Sequence, residues 1–278
     1  MLPELQLFIN DDNVKYILFA NSEVISDQIR KDGYWNRHIL NYLKKILVKQ
    51  EPGVIVDIGA GIGSLTVPLA AHFGEKYLFH SFEPLRILHQ QFCANIFINN
   101  LDNVHTHNIA LGKQREELMY GVLDIHNLTN HGTFSFNDKI NEIRGILPTN
   151  EKQYYNFDIL DNYELIDVKL IKLSAPGMEP DVIEGATRTI KNNNNPPIIF
   201  EHWNTDWYKE TTDKIFEMLK TLGYYSFVDV CGYFVAFKTE AFHDYLYSDE
   251  VASSNNFVIK EKSADSEMVL NTQAVYLG

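Results

Sequence analysis

The stretch VIVDIGAGIGSL, Val54 to Leu65, constrains the fold more than any other part of the chain. An apolar run that ends in an acid reads as a strand buried on both faces. Gly59, Gly61 and Gly63 follow at alternate positions, and a helix is expected from about Ser64 to Phe73. Glycines let the backbone take positive φ and let a ligand approach it closely. The chain therefore passes from a central strand into a helix through a bend able to touch a ligand.

The pattern then repeats. Tyr77 to Glu83 reads as a second strand, a helix starts at Pro84, and Val104 to Ile109 reads as a third strand. Strands alternating with helices mean a parallel sheet covered on both faces. Residues 113–165 are less regular, an expected insertion over the sheet edge, with ELMYGVLDI and GTFSFN as short strands. Val168 to Leu173 reads as strand four, Pro180 to Lys191 as a helix, and Ile198 to Glu201 as strand five. Thr212 to Leu222 is an amphipathic helix, and YYSFVDV-CG-YFVAFK is a hairpin around a two-residue turn. Residues 1–50 read as a helical lead, 51–239 as the main domain, and 240–278 as a polar, poorly ordered tail.

The loop spacing narrows the ligand. A dinucleotide fingerprint needs a third glycine three residues after the second, which Gly59-Ala60-Gly61-Ile62-Gly63 does not supply. A pyrophosphate at a helix N-terminus gains from positive potential, which Asp57 opposes. No Gly-Lys-Ser/Thr follows, so the loop is not a P-loop. S-adenosylmethionine suits it better, because its sulfonium and ammonium favour a nearby acid and its single carboxylate can meet loop amides. Glu83, at the end of the second strand, is placed to take both ribose hydroxyls. The alternative is a structural glycine turn beside a surface acid.

With these features the chain resembles the FkbM family of S-adenosylmethionine-dependent methyltransferases. VIVDIGAGIGSLTVPLA, FHSFEPLRILHQQFCANIFINN followed by NIALG, IKLSAPGMEPDVIEGA and PPIIFEH stand in the family's order, over roughly residues 20–237. The resemblance implies an α/β, Rossmann-like class I methyltransferase fold. Its mostly parallel seven-stranded sheet ends in an antiparallel hairpin and carries helices on both faces. It also implies O-methylation of a hydroxyl on a sugar or natural product. Asp57, Gly59, Ala60, Gly61, Gly63, Glu83 and Pro84 then become the cofactor residues. One departure stands out. Strand four in the family ends Lys-Ile-Asp-Val-Glu-Gly-x-Glu, whereas Lys172, Gly177 and Glu179 match here but Ser174 and Pro176 replace the two acids. A shifted base, a different acceptor, or a module that binds the cofactor without turnover would each account for that.

An alcohol acceptor has to lose its proton as the methyl arrives. His202, Glu201 and Lys172 form the catalytic set, with His202 the first candidate base because imidazole titrates near neutrality. Glu179, Ser174, His131 and Trp203 are the substrate-binding set, for a small-molecule or glycan acceptor. No metal is expected, since His126 and His131 lack a compact set of companions.

Composition sets the remaining bounds. A formal charge of −13 argues against binding a nucleic-acid backbone. Two isolated cysteines, no basic leader and no long apolar run point to a cytoplasmic protein without a membrane span. On those grounds the sequon at Asn127 is accidental.

Overall fold

A computed structural model of the chain describes residues 3–238 except 22, 127–129, 147 and 204. The polar tail and the sequon lie outside the described residues.

The chain opens with a hairpin, β1 (Leu5–Ile9) and β2 (Lys15–Phe19), paired antiparallel. This departs from a purely helical lead. The signal lies in the alternation of KYILF and in its turn, where the Asn10 side chain accepts from the Asp12 and Val14 amides. Tyr16 and Leu18 are buried, and the other edge of β2 is held by side chains, the Lys15 and Ile17 amides donating to Asn99 and Asn95. Two helices follow, α1 (Val24–Asp32) and α2 (Arg37–Val48). Glu23 caps α1 by accepting from the Ser26 amide, and Gly33 ends it in the left-handed region.

Then come β3 (Gly53–Ile58), α3 (Thr66–Phe73), β4 (Tyr77–Phe82), α4 (Arg86–Ile98) and β5 (Val104–His107). The insertion holds β6 (Ala110–Leu111), β7 (Glu116–Gly121), α5 (Asp138–Ile143) and β8 (Lys152–Asp158). The chain returns through β9 (Val168–Leu173), α6 (Glu179–Gly185), α7 (Thr187–Asn192), β10 (Ile198–Glu201), α8 (Asp206–Thr221), β11 (Ser226–Val230) and β12 (Tyr233–Phe237).

The main sheet has seven strands in the order β11-β12-β10-β9-β3-β4-β5. The five from β5 to β10 run parallel, while β12 runs against both β10 and β11. The β11–β12 turn is Cys231-Gly232, both at positive φ, which matches the twist of the flanking strands. Alternation along β3 feeds two cores. Ile55 packs with residues of α2, α3 and α4, whereas Val56 and Ile58 pack with residues of α6, α7 and α8.

Two expected elements take another form. The expected helix 180–191 breaks at Ala186 into α6 and α7. Gly185 approaches the backbone after β6 so closely that a Cβ would stand 2.0 Å from the Gly112 carbonyl oxygen. GTFSFN is a 3-10 turn at His131–Thr133 and a loop, not a strand. Side chains of the segment and of α5 take backbone bonds a strand would have used. The Ser135 amide donates to Asn141 and the Asn137 amide to the Ser135 hydroxyl. The partner of β7 is instead β8, whose Tyr155 and Phe157 are buried while Tyr154 and Asn156 are exposed.

Candidate active site

In an open α/β sheet, ligands bind at the carboxyl ends of the strands where the order reverses. Here that point is the junction of β3, β4 and β9. A groove of about 830 Å³, lined by Lys169, Asn193 and Lys238 among others, opens at the opposite ends of the strands. It is not the expected crevice.

The glycine loop is pinned at its start. The Gly59 and Ala60 amides both donate to the Phe82 carbonyl, at 2.9 and 3.0 Å. The Gly61 amide donates to Glu83 and the Gly63 amide to the Ala60 carbonyl. These four amides are thus satisfied within the chain. A donor carboxylate would have to meet other amides of the loop than these four. Gly59 and Gly61 line the crevice, while Ala60 is packed into the core and Gly63 backs onto the Phe92 ring.

Asp57 also departs from its expected electrostatic role. The β3–β9 register sets it directly opposite Lys172. The Lys172 ammonium lies 2.9 Å from one Asp57 oxygen and donates to the Gly59 carbonyl at 2.7 Å. The Thr66 hydroxyl donates to the other Asp57 oxygen at 2.6 Å. Both charged groups are nearly buried, so Asp57 is neutralised inside the chain and ties β3 to β9 and α3. Lys172, expected in the catalytic set, forms the other half of this brace.

Glu83 remains as the acid of the crevice. It is buried, and its two oxygens accept from the Gly61 and Leu85 amides, each at 2.8 Å. Burial pushes its pKa up to about 7, against the pull of those two amides and of Lys172. Each oxygen keeps a lone pair for a further donor. Pro84, Leu85, Leu88, Ile109 and Ala110 form an apolar wall beside it.

The insertion roofs the crevice with His131, Phe134, Ser135 and Phe136. Ser135 donates to the Pro176 carbonyl at 2.5 Å, which fastens the roof to the loop after β9. The enclosed volume is about 80 Å³, below the roughly 300 Å³ at which sites for drug-sized ligands begin. Phe134 and Phe136 are the aromatic residues of that roof. His131 is buried with its ring edge-on to Phe19.

Beyond the crevice, at the ends of β9 and β10, stands a second group. Ser174, which lines the crevice, donates to Glu201 at 3.1 Å. Glu179 is fully buried at the start of α6 and hydrogen-bonded to Tyr208. Burial, with the Glu201 charge adding to it, pushes the Glu179 pKa up to about 8. Trp203 packs against Trp207 and Tyr208 and carries the Arg144 guanidinium 3.8 Å from its ring centre. Arg144 and Tyr208 were missed in the sequence, where neither stands in a motif. His202 lies elsewhere. Its ring packs on Phe234 and faces the Thr212 hydroxyl at 3.5 Å, it is not among the residues lining the crevice, and burial lowers its pKa.

A parallel sheet closed by a reversed hairpin strand, with a glycine bend and a strand-end acid at the switch point, defines a class I methyltransferase domain. Its donor is S-adenosylmethionine. The FkbM methyltransferase domain profile matches residues 57–233, well over half of the chain, which therefore belongs to the FkbM methyltransferase family.

Among curated proteins the chain is similar to a tRNA(Phe) (4-demethylwyosine(37)-C(7)) aminocarboxypropyltransferase of Methanocaldococcus jannaschii, 28% identical over 173 residues. That alignment covers 54% of this chain and 66% of the relative, just short of two thirds of its length. Among solved structures it is similar to an FkbM methyltransferase from Methylobacillus flagellatus, with 17% identity, 59% of this chain and 37% of that one covered, and a TM-score of 0.40. A caffeoyl-CoA O-methyltransferase-like structure from Staphylococcus aureus has 13% identity, 78% and 91% coverage and a TM-score of 0.47.

Proposed function

We propose that the protein transfers a methyl group from S-adenosylmethionine to an oxygen of a hydroxylated acceptor, a sugar or glycan. The observation that carries this reading is Glu83, a buried acid with spare lone pairs beside an apolar wall. That combination suits a ribose diol next to an adenine. The donor supplies an electrophilic methyl on a sulfonium. Glu83 holds the ribose hydroxyls, Leu85, Leu88, Ile109 and Ala110 flank the base, and Asp57 with Lys172 keeps the loop in place.

Proton removal from the acceptor falls to Glu201, with the Ser174 hydroxyl at 3.1 Å as its link to the crevice. The family's strand-four acid is serine here, and the carboxylate that meets this serine comes from the next strand. The base has shifted by one strand. Residues 51–239 form the transferase unit in this reading, and 1–50 a lead against it.

Isothermal titration with S-adenosylmethionine and S-adenosylhomocysteine tests the donor, and a glycan panel with methyl-labelled donor tests the acceptor. A tRNA arm belongs in the same panel, because the curated relative is named for a tRNA substrate. The charge of −13 stands against a long phosphate contact.

Donor affinity is expected to depend on pH with a defined sign. Ribose hydroxyls donate to the ionised carboxylate, so binding favours the charged form of Glu83. Affinity should be level above about pH 7 and fall below it by up to about tenfold per unit. Glu83→Gln should flatten that slope and weaken binding by about tenfold or more. A slope that survives the substitution assigns it to another group.

His202→Gln is expected to leave labelled-methyl transfer within about threefold of the parent, since its ring faces Phe234 and Thr212. A loss of about 10² or more, with donor binding intact, would restore it as the base.

A further inference from the structure

We infer that Arg144 is a specificity-determining residue that recognises a carboxylate or phosphate carried by the acceptor. The inference rests on the acceptor reading above and narrows it to an acidic sugar.

Arg144 directly follows α5, in the same insertion that supplies Phe134, Ser135 and Phe136 to the crevice roof. Its guanidinium stacks on Trp203, the second residue after β10. It thus bridges the insertion and the end of the strand that carries Glu201. The ring contact holds the guanidinium between the insertion and the end of β10.

Those donors are unused. Arg144 is half-buried, yet among the described residues no ion pair within 4.0 Å forms on it, and one terminal nitrogen is buried without an acceptor. Burial lowers its pKa, and Glu201 acts on it only as a more distant charge. In a chain with 37 acids and 24 lysines and arginines, a half-buried guanidinium with no carboxylate on its fork is unusual. Leaving such a donor unsatisfied is costly. An anion with two oxygens to offer, a carboxylate or a phosphate, is the chemistry that fits a guanidinium fork. Trp203 is itself packed with Trp207 and Tyr208, which makes it a firm support for the guanidinium.

The test is calorimetric titration of the full chain with glucuronate, glucose 6-phosphate and glucose, each with and without S-adenosylhomocysteine. The parent should bind at least one acidic sugar about tenfold or more tighter than glucose. The two acidic arms distinguish carboxylate from phosphate. Arg144→Gln should remove the preference and leave S-adenosylhomocysteine affinity unchanged. Arg144→Lys, which keeps the charge without the fork, should recover only part of it.

Equal affinity for acidic and neutral sugars, no binding of any of the three, or a preference that persists in Arg144→Gln overturns the inference. Failure of S-adenosylhomocysteine to bind overturns the donor reading instead. In that case the titrations without it still decide the role of Arg144.

Discussion

Replacing Lys172 by methionine is expected to destabilise the protein by about 3–5 kcal/mol, the usual consequence of removing one partner from a buried ion pair. The pair is 2.9 Å apart and both side chains are at most one tenth exposed. Removing the ammonium leaves Asp57 charged in a low-dielectric site, with only the Thr66 hydroxyl as compensation. It also leaves the Gly59 carbonyl without its donor. Asp57→Asn in the methionine background should recover most of the stability, because the amide keeps a bond to Thr66 and carries no charge. A chemical-denaturation cycle over the four proteins measures this. A coupling energy below about 0.5 kcal/mol, the level of independent sites, would show that the two residues do not act as a pair. A purely catalytic Lys172 predicts a different pattern, with normal stability and lost turnover.

The same pair shows where sequence reading ran out. Asp57 was legible as the acid that ends a buried strand, because apolar residues precede it and glycines follow. Its partner stands 115 positions later, and the link appears only when β3 and β9 lie side by side with these two residues in register. Without that partner in view, Asp57 reads as a charge that faces the ligand. The structure cancels that field with Lys172 and leaves Glu83 as the crevice acid. The central strands β3, β4, β9 and β10 and the closing hairpin were readable, since each is a short apolar run bounded by turn residues. The insertion was less so. Around GTFSFN the Ser135 hydroxyl and the Asn141 side chain from α5 bond the backbone, and composition cannot say whether such groups will do that or face solvent. Arg144 could not be found from its neighbours at all, because its meaning comes from Trp203, 59 positions along the chain.

Gly59→Ala should be the most damaging single-methyl change in the loop, and Gly61→Ala sets its scale. Both glycines have positive φ, 74° and 57°, so an alanine at either site carries a backbone penalty of about 1–2 kcal/mol. Their surroundings differ. A Cβ on Gly59 would stand 1.8 Å from the Ser174 carbonyl oxygen, a backbone atom held in place by the bond from the Ser174 amide to the Ile58 carbonyl. Neither partner can yield without opening the β3–β9 junction or breaking the Gly59 and Ala60 bonds to Phe82. The expected cost is several kcal/mol beyond the conformational term, in the range of overpacked and strained cores. Donor binding should be lost with it. A Cβ on Gly61 meets no atom within 4 Å, so Gly61→Ala should fold with only the conformational loss. That methyl would sit where the loop borders the crevice, so weakened S-adenosylhomocysteine binding in a protein of nearly parental stability is the expected result. Thermal unfolding and calorimetry on the two variants separate the effects, a loss of stability being expected at Gly59 and a loss of binding at Gly61. Equal stability in both variants would mean that the Ser174 carbonyl moves freely, and the loop would then lack the rigidity on which its placement of Glu83 depends.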